Sequence, residues 1–209
     1  MAVARTSRTA KRSRATSVKS VAKKATTRAA RNGAQSSGEP TLQDLARRVE
    51  RLEAEREISK ILFHYVWLAD EVKDARKIAE CFTKDAVWEG VGDFDEYLSV
   101  GRAEIRDLFR DVPNQLPFTA HWVTNEVIEV AEDGMHAHGQ WHILEAANLR
   151  DNCAQVWMVA WYENDFEKVN GAWLISHLRL VHTFVAPYEE GWLKTKYVSP
   201  VTLMKISRV

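Results

Sequence analysis

Histidine is the side chain whose charge changes near neutral pH, and this 209-residue chain has seven, at positions 64, 121, 136, 138, 142, 177 and 182. His136, His138 and His142 share parity on a predicted strand, so their side chains fall on one face. Zinc would use such a face. The same run alternates with Ala137, Gly139, Trp141 and Ile143, as a half-exposed strand does, and no H-E-x-x-H or H-x-x-x-H spacing on a helix accompanies it. No metal is expected. Nucleophilic catalysis has no better footing: there is no G-x-S-x-G elbow, and neither Cys81 nor Cys153 stands next to a His. Phosphate-loop and dinucleotide fingerprints are also missing, so no cofactor is expected. What remains is acid–base chemistry by His, Asp and Tyr in an aromatic-walled pocket.

Such residues need a scaffold. Thr41 before Leu42, with Asp44 three residues on, reads as a helix start, and Leu42, Leu45, Val49 and Leu52 form a short heptad-like stripe. Two heptads are too few for an independent coiled coil, so a leader helix over 41–56 is expected to lie on its own domain or on a partner subunit. Helical period continues from Glu57 through Ile58, Ile61, Leu62, Tyr65 and Leu68 to about Asp70. Asp74 caps a second short helix, Ala75 to Phe82, and the two make a hairpin. A strand over Asp85–Glu89, a loop from Gly90 to Gly101, and a helix from Gly101 to Val112 stopped by Pro113 follow.

The character then changes. His121–Val130, Met135–Ala146, Cys153–Phe166 and Ala172–Phe184 are rich in Val, Ile, Trp and His, and turn sequences at 132–134, 150–152 and 169–171 divide them. Helices followed by an antiparallel meander predict an α+β domain with a curved sheet packed on helices. Boundaries are expected at a disordered basic tail (1–40), the leader helix (41–56), the domain (57–198) and a C-terminal extension (199–209).

Charge divides the chain. Basic and acidic residues number 29 each, but ten of the basic ones and no acidic one lie in 1–38, leaving a formal −10 on the remainder. Three readings of the tail compete: a solvated segment, a nonspecific anchor for nucleic acid or anionic surfaces, and an organellar transit peptide. No run of 18 apolar residues and no secretory h-region is present, so the expectation is a cytoplasmic protein with no membrane span. The two cysteines are expected to be thiols.

The order of elements resembles the SnoaL-like branch of the nuclear transport factor 2 superfamily. The resemblance is carried by His64-Tyr65-Val66-Trp67-Leu68-Ala69-Asp70, Phe82-Thr83-Lys84-Asp85-Ala86-Val87-Trp88, Gly101-Arg102-Ala103-Glu104-Ile105 and His121-Trp122-Val123-Thr124-Asn125. It covers about 55–195 and extends to scytalone dehydratase and bile-acid dehydratase. It implies an NTF2-like cone in which Tyr65 donates a hydrogen bond, Asp70 is the partner or base, and His121 shuttles a proton. Five residues separate Tyr65 from Asp70, about 140° on an ideal helix, so both face one pocket only if the helix ends near Asp70. The alternative is that Asp70 caps the hairpin, Tyr65 is core and His121 is a satisfied strand residue.

Scytalone dehydratase uses a second sheet histidine near the place of Trp141. A Trp there would supply a flat apolar wall instead, as would Trp88, Phe118, Trp122 and Trp157. Each taken alone reads as core, and together they suggest a hydrophobic cyclic ligand such as a steroid, terpenoid or aromatic polyketide. The resulting expectation is a cofactor-independent dehydratase or isomerase with Asp70 and His121 as acid–base pair and Tyr65 orienting. Its alternatives are a noncatalytic ligand-binding or assembly module and the small subunit of a ring-hydroxylating oxygenase. An open sheet needs cover, so a homodimer or homo-oligomer is expected.

Overall fold

The helical spacing that begins at Leu42 produces one continuous helix, α1 (Leu42–Trp67), with no break at 56/57. The computed structural model describes residues 39–91, 97–149 and 154–196. The basic segment 1–38, the extension 199–209, Cys153 and the 150–152 turn lie outside the described residues. Ala54, Ile58, Leu62, Tyr65 and Val66 bury one face of α1. A π-helical turn, Leu68–Val72, continues from its end and closes where the N–H of Lys73 bonds the Leu68 carbonyl at 2.7 Å. Asp74 then caps α2 (Ala75–Glu80), its carboxylate accepting from the Arg76 N–H at 2.9 Å.

Among the described residues the sheet has six strands in the order β2-β1-β6-β5-β4-β3 and is curved and unclosed. They are β1 (Phe82–Val91), β2 (Leu98–Val100), β3 (Phe118–Val130), β4 (His136–Leu149), β5 (Ala154–Val169) and β6 (Ala172–Pro187). The meander from β3 to β6 is antiparallel, as its turn sequences imply. Asn170 and Gly171 both have positive φ, which a tight right-twisting hairpin requires. The sheet as a whole is mixed. Three reversals after β3 bring β6 alongside β1 in the same direction, with Trp88 opposite Leu178 and Glu89 opposite Arg179. Part of the expected 90–101 loop is β2. Helix α3 (Gly101–Gln115) passes through Pro113, whose missing N–H removes one bond near the end of the helix; Leu116 still bonds Val112 at 2.7 Å. A short α4 (Gly191–Lys194) follows β6.

Helices cover the concave face, and the largest buried side chains, among them Phe82, Trp141, Phe166, Ile58 and Leu62, meet there. Strand parity decides what reaches this space. On β4 the odd positions 141, 143, 145 and 147 are buried and the even positions are more open. On β3 a bulge at Asn125 (φ +55°) changes the parity: Thr119 and His121 point inward before it, and Glu126 after it. None of the described helices is long and apolar enough to cross a membrane.

Candidate active site

Asp70 sits in the π-helical turn, which carries its carboxylate onto the start of β3. Its Oδ1 accepts from Thr119 Oγ1 at 2.8 Å and its Oδ2 from the His121 backbone N–H at 2.9 Å. The His121 ring meets the same carboxylate, Nδ1 to Oδ1, at 2.7 Å. Burial opposes ionisation of Asp70, but these hydrogen bonds and the facing imidazole outweigh it and hold the carboxyl below its usual range.

The other ring nitrogen is also taken. His121 Nε2 lies 3.1 Å from Glu145 Oε2, so the imidazole bridges two carboxylates. Burial again works against the charge, and the pull of Glu145 together with that of Asp70 reverses it, raising the imidazole to about 10. At neutral pH the ring is therefore an imidazolium, with Nδ1–H donating to Asp70 and Nε2–H to Glu145. The sequence reading did not single out Glu145. Its signal was parity: it shares the inward face of β4 with Trp141 and Ile143, and a carboxylate on a buried face needs a partner.

Tyr65 belongs to α1 and is buried. The Trp88 indole N–H donates to its oxygen at 3.1 Å, and a hydrogen bond joins its hydroxyl to that of Tyr162 on β5. Burial pushes both phenols well above their ordinary range, so they stay protonated. Two phenols carry two hydrogens and their mutual bond uses one. The other is left for an acceptor.

These groups border one cavity of about 120 Å³. Thr119, His121, Glu145, Tyr65 and Tyr162 form its polar side, and Trp88, Leu108, Phe109, Val112, Met158 and Leu180 most of the apolar side. His182 of β6 lines it as well, and burial lowers its imidazole to about 4, so it is neutral where His121 is charged. Asp70 stands behind His121 and does not border the space.

Of the five aromatic residues expected to wall a pocket, Trp88 does. Trp122 is half exposed because its neighbour His121 points inward, and alternation sends it to the outer face of the sheet. Phe118 has the same parity and is also half exposed. Trp157 lies beside Trp122, ring centroids 6.4 Å apart, and alternates with Met158, which does face the cavity. Trp141 points inward but away from the cavity, packing on Phe166 and donating to Glu126 at 3.3 Å. His136, His138 and His142 share the outer face as their parity requires, each with a different partner: Asp133, Asp165 and Asn125. Among the described residues no three His, Cys, Asp or Glu side chains group as metal ligands.

Comparison with known proteins agrees with this architecture. A family model described as a SnoaL-like domain matches residues 50–179. No curated protein matches the sequence significantly. Among solved structures, a scytalone dehydratase-like protein of Novosphingobium aromaticivorans superposes with a TM-score of 0.60 at 18% identity, covering 66% of this chain and 90% of that one. The hexachlorocyclohexane dehydrochlorinase LinA-type3 of Novosphingobium barchaimii gives 0.60 at 21%, covering 66% and 92%. An NTF2-like protein with a cystatin-like fold from N. aromaticivorans gives 0.58 at 22%, covering 70% and 92%. At these identities the structures share a fold. With its family model matched over more than half its length, the chain belongs to the SnoaL-like family.

Proposed function

We propose that the protein is a lyase that removes water from a small hydrophobic cyclic substrate by proton transfer within the Asp70–His121–Glu145 group. The observation that carries the reading is that His121 is held between two carboxylates, one of which borders an apolar cavity. An imidazolium with both nitrogens engaged is a proton donor, so the accepting group in the resting site is Glu145. In the proposed cycle Glu145 takes a proton from carbon as the C–H bond breaks. The electron pair forms the double bond and expels the neighbouring hydroxyl, which leaves as water with the Nε2 proton of His121. Glu145 then returns its proton to His121 across their 3.1 Å contact, and both groups are restored. Asp70 holds the ring and its charge. The spare hydrogen of the Tyr65–Tyr162 pair would polarise a carbonyl next to the reacting carbon. No step calls on a cofactor.

Cavity size limits the substrate. An apolar cavity of about 150 Å³ holds benzene, so about 120 Å³ suits one ring of a ligand rather than a whole steroid. The solved neighbours include a dehydratase-like protein and a dehydrochlorinase, both named for eliminations, which is consistent with this reading.

The test is a panel of monocyclic and bicyclic β-hydroxy carbonyl compounds, read by thermal shift for binding and by mass spectrometry for loss of water. Parent, Asp70→Asn, His121→Asn and Glu145→Gln proteins are compared. The expected result is a compound that binds all four and is dehydrated by the parent alone. A ligand that binds all four and is never converted would replace the lyase by a binding module.

A further inference from the structure

Leu42, Leu45, Val49 and Leu52 lie on the first three turns of α1 and are 87%, 42%, 52% and 63% exposed. The described residues of their own domain do not cover them. At about 100° per residue they centre roughly opposite the face formed by Ala54, Ile58, Leu62 and Tyr65, which the domain buries. The stripe repeats at three and four residues, the a and d positions of a heptad with Leu42 and Val49 at a and Leu45 and Leu52 at d. It stops where Arg56 takes the next a position and Ser59, bonded to Glu126 at 2.9 Å, takes the next d.

We propose that this segment is a self-association surface on which a second copy of the chain places the same stripe in parallel, forming a short two-stranded coiled coil. The charges beside the stripe choose both partner and direction. In a parallel pair each g position faces the e position five residues further along the other helix. Arg48 then meets Glu53 of the other copy. An antiparallel pair in which Leu45 faces Val49 sets Arg48 against Arg48, which is repulsive. Both Arg48 and Glu53 are exposed on α1.

Two heptads do not hold free peptides together, because each helix must first be nucleated. Here the remaining turns of α1 are anchored in the domain through Ile58, Leu62 and Tyr65, so the projecting turns extend an existing helix. Association then draws on burial of four apolar layers against little ordering cost, and a weak, reversible dimer is the expected product.

Sedimentation equilibrium on the full chain tests this, with circular dichroism to establish that each variant folds; every substituted position is exposed. Leu45→Glu/Val49→Glu should raise the dimer dissociation constant about tenfold or more. Glu53→Arg should also weaken association, and Arg48→Glu/Glu53→Arg should restore it. Leu45→Cys should oxidise to a covalent dimer that the parent does not form, because like d positions face each other only in a parallel pair. A parent that stays monomeric, an unchanged constant for Leu45→Glu/Val49→Glu, or tighter association of Glu53→Arg would overturn the proposal.

Discussion

Glu145 Oε2 stands 3.1 Å from His121 Nε2, on the opposite side of the ring from Asp70, and this contact decides what His121 does. With Asp70 alone the imidazole would keep a free nitrogen facing the cavity and serve as a base. With Glu145 in place it is a cation at neutral pH, and the cavity sees a carboxylate backed by a proton donor. His182, on the same cavity, is held neutral by its burial. Two histidines in one enclosure should therefore titrate far apart. Nitrogen-15 NMR of the imidazoles should find His121 protonated at pH 7 and titrating near 10, and His182 neutral above about pH 5. A His121 that titrates below 7.5 would remove the bridge from the argument.

Stability should follow the same charges. A histidine raised from 6.5 to about 10 on folding contributes stability that is complete below about pH 6.5 and is lost as pH rises through 10. Asp70 is lowered from 3.8, so its contribution is present above that value and is lost as pH falls through its folded value. Urea unfolding from pH 3 to 10.5 should give greatest stability between about pH 4 and 6.5 from these two groups. In Glu145→Gln one carboxylate no longer holds the proton, so the alkaline loss should still begin near pH 6.5 but be complete at lower pH and be smaller in total. An alkaline limb identical to that of the parent would show that Glu145 does not carry the charge on His121.

Parity explains what could be read in advance and what could not. The four-strand meander and the Asp74 cap follow from local pattern, whereas the roles of Asp70 and His121 were read from resemblance alone. Glu145 was within reach, since it shares parity with Trp141 and Ile143. Trp122 was misplaced against the same rule, because two neighbours on a strand cannot both face one pocket. Other features have no local signature. The bulge at Asn125 changes which β3 residues point inward, and the parallel pairing of β1 with β6 joins segments some ninety residues apart. The π-helical turn is set by packing of Asp70 on β3, since an isolated Leu68–Val72 sequence has no reason to widen its hydrogen bonds from four residues to five.

Tyr65→Phe removes one oxygen and leaves two partners. The Trp88 N–H loses its acceptor inside an apolar wall, and Tyr162 loses its bonded hydroxyl. An unsatisfied buried donor costs about 1–3 kcal/mol. Denaturant unfolding should show a loss of that size, with the midpoint shifted and the slope unchanged. If Tyr65 also polarises the substrate, the variant should lose kcat more than binding, whereas Trp88→Phe, which keeps a ring but not the N–H, should affect binding first.

Trp141 offers a way to separate core from site. Its indole packs on Phe166 with ring centroids 5.8 Å apart and crosses over Gly139, where an added Cβ would run into the six-membered ring. Gly139 is in a regular strand position, so alanine there meets no backbone strain; the obstacle is that fully buried ring. Overpacking of this kind costs about 1–3 kcal/mol. Gly139→Ala should therefore lower the unfolding free energy by that amount. His121 receives its charge from Asp70 and Glu145, whereas the Trp141 indole bonds Glu126. The His121 titration in the Gly139→Ala protein should stay near 10, and ligands of the cavity should bind as they do to the parent. A shifted titration or lost binding would mean that Trp141 supports the site from behind, and that the aromatic wall reaches further along β4 than the cavity lining indicates.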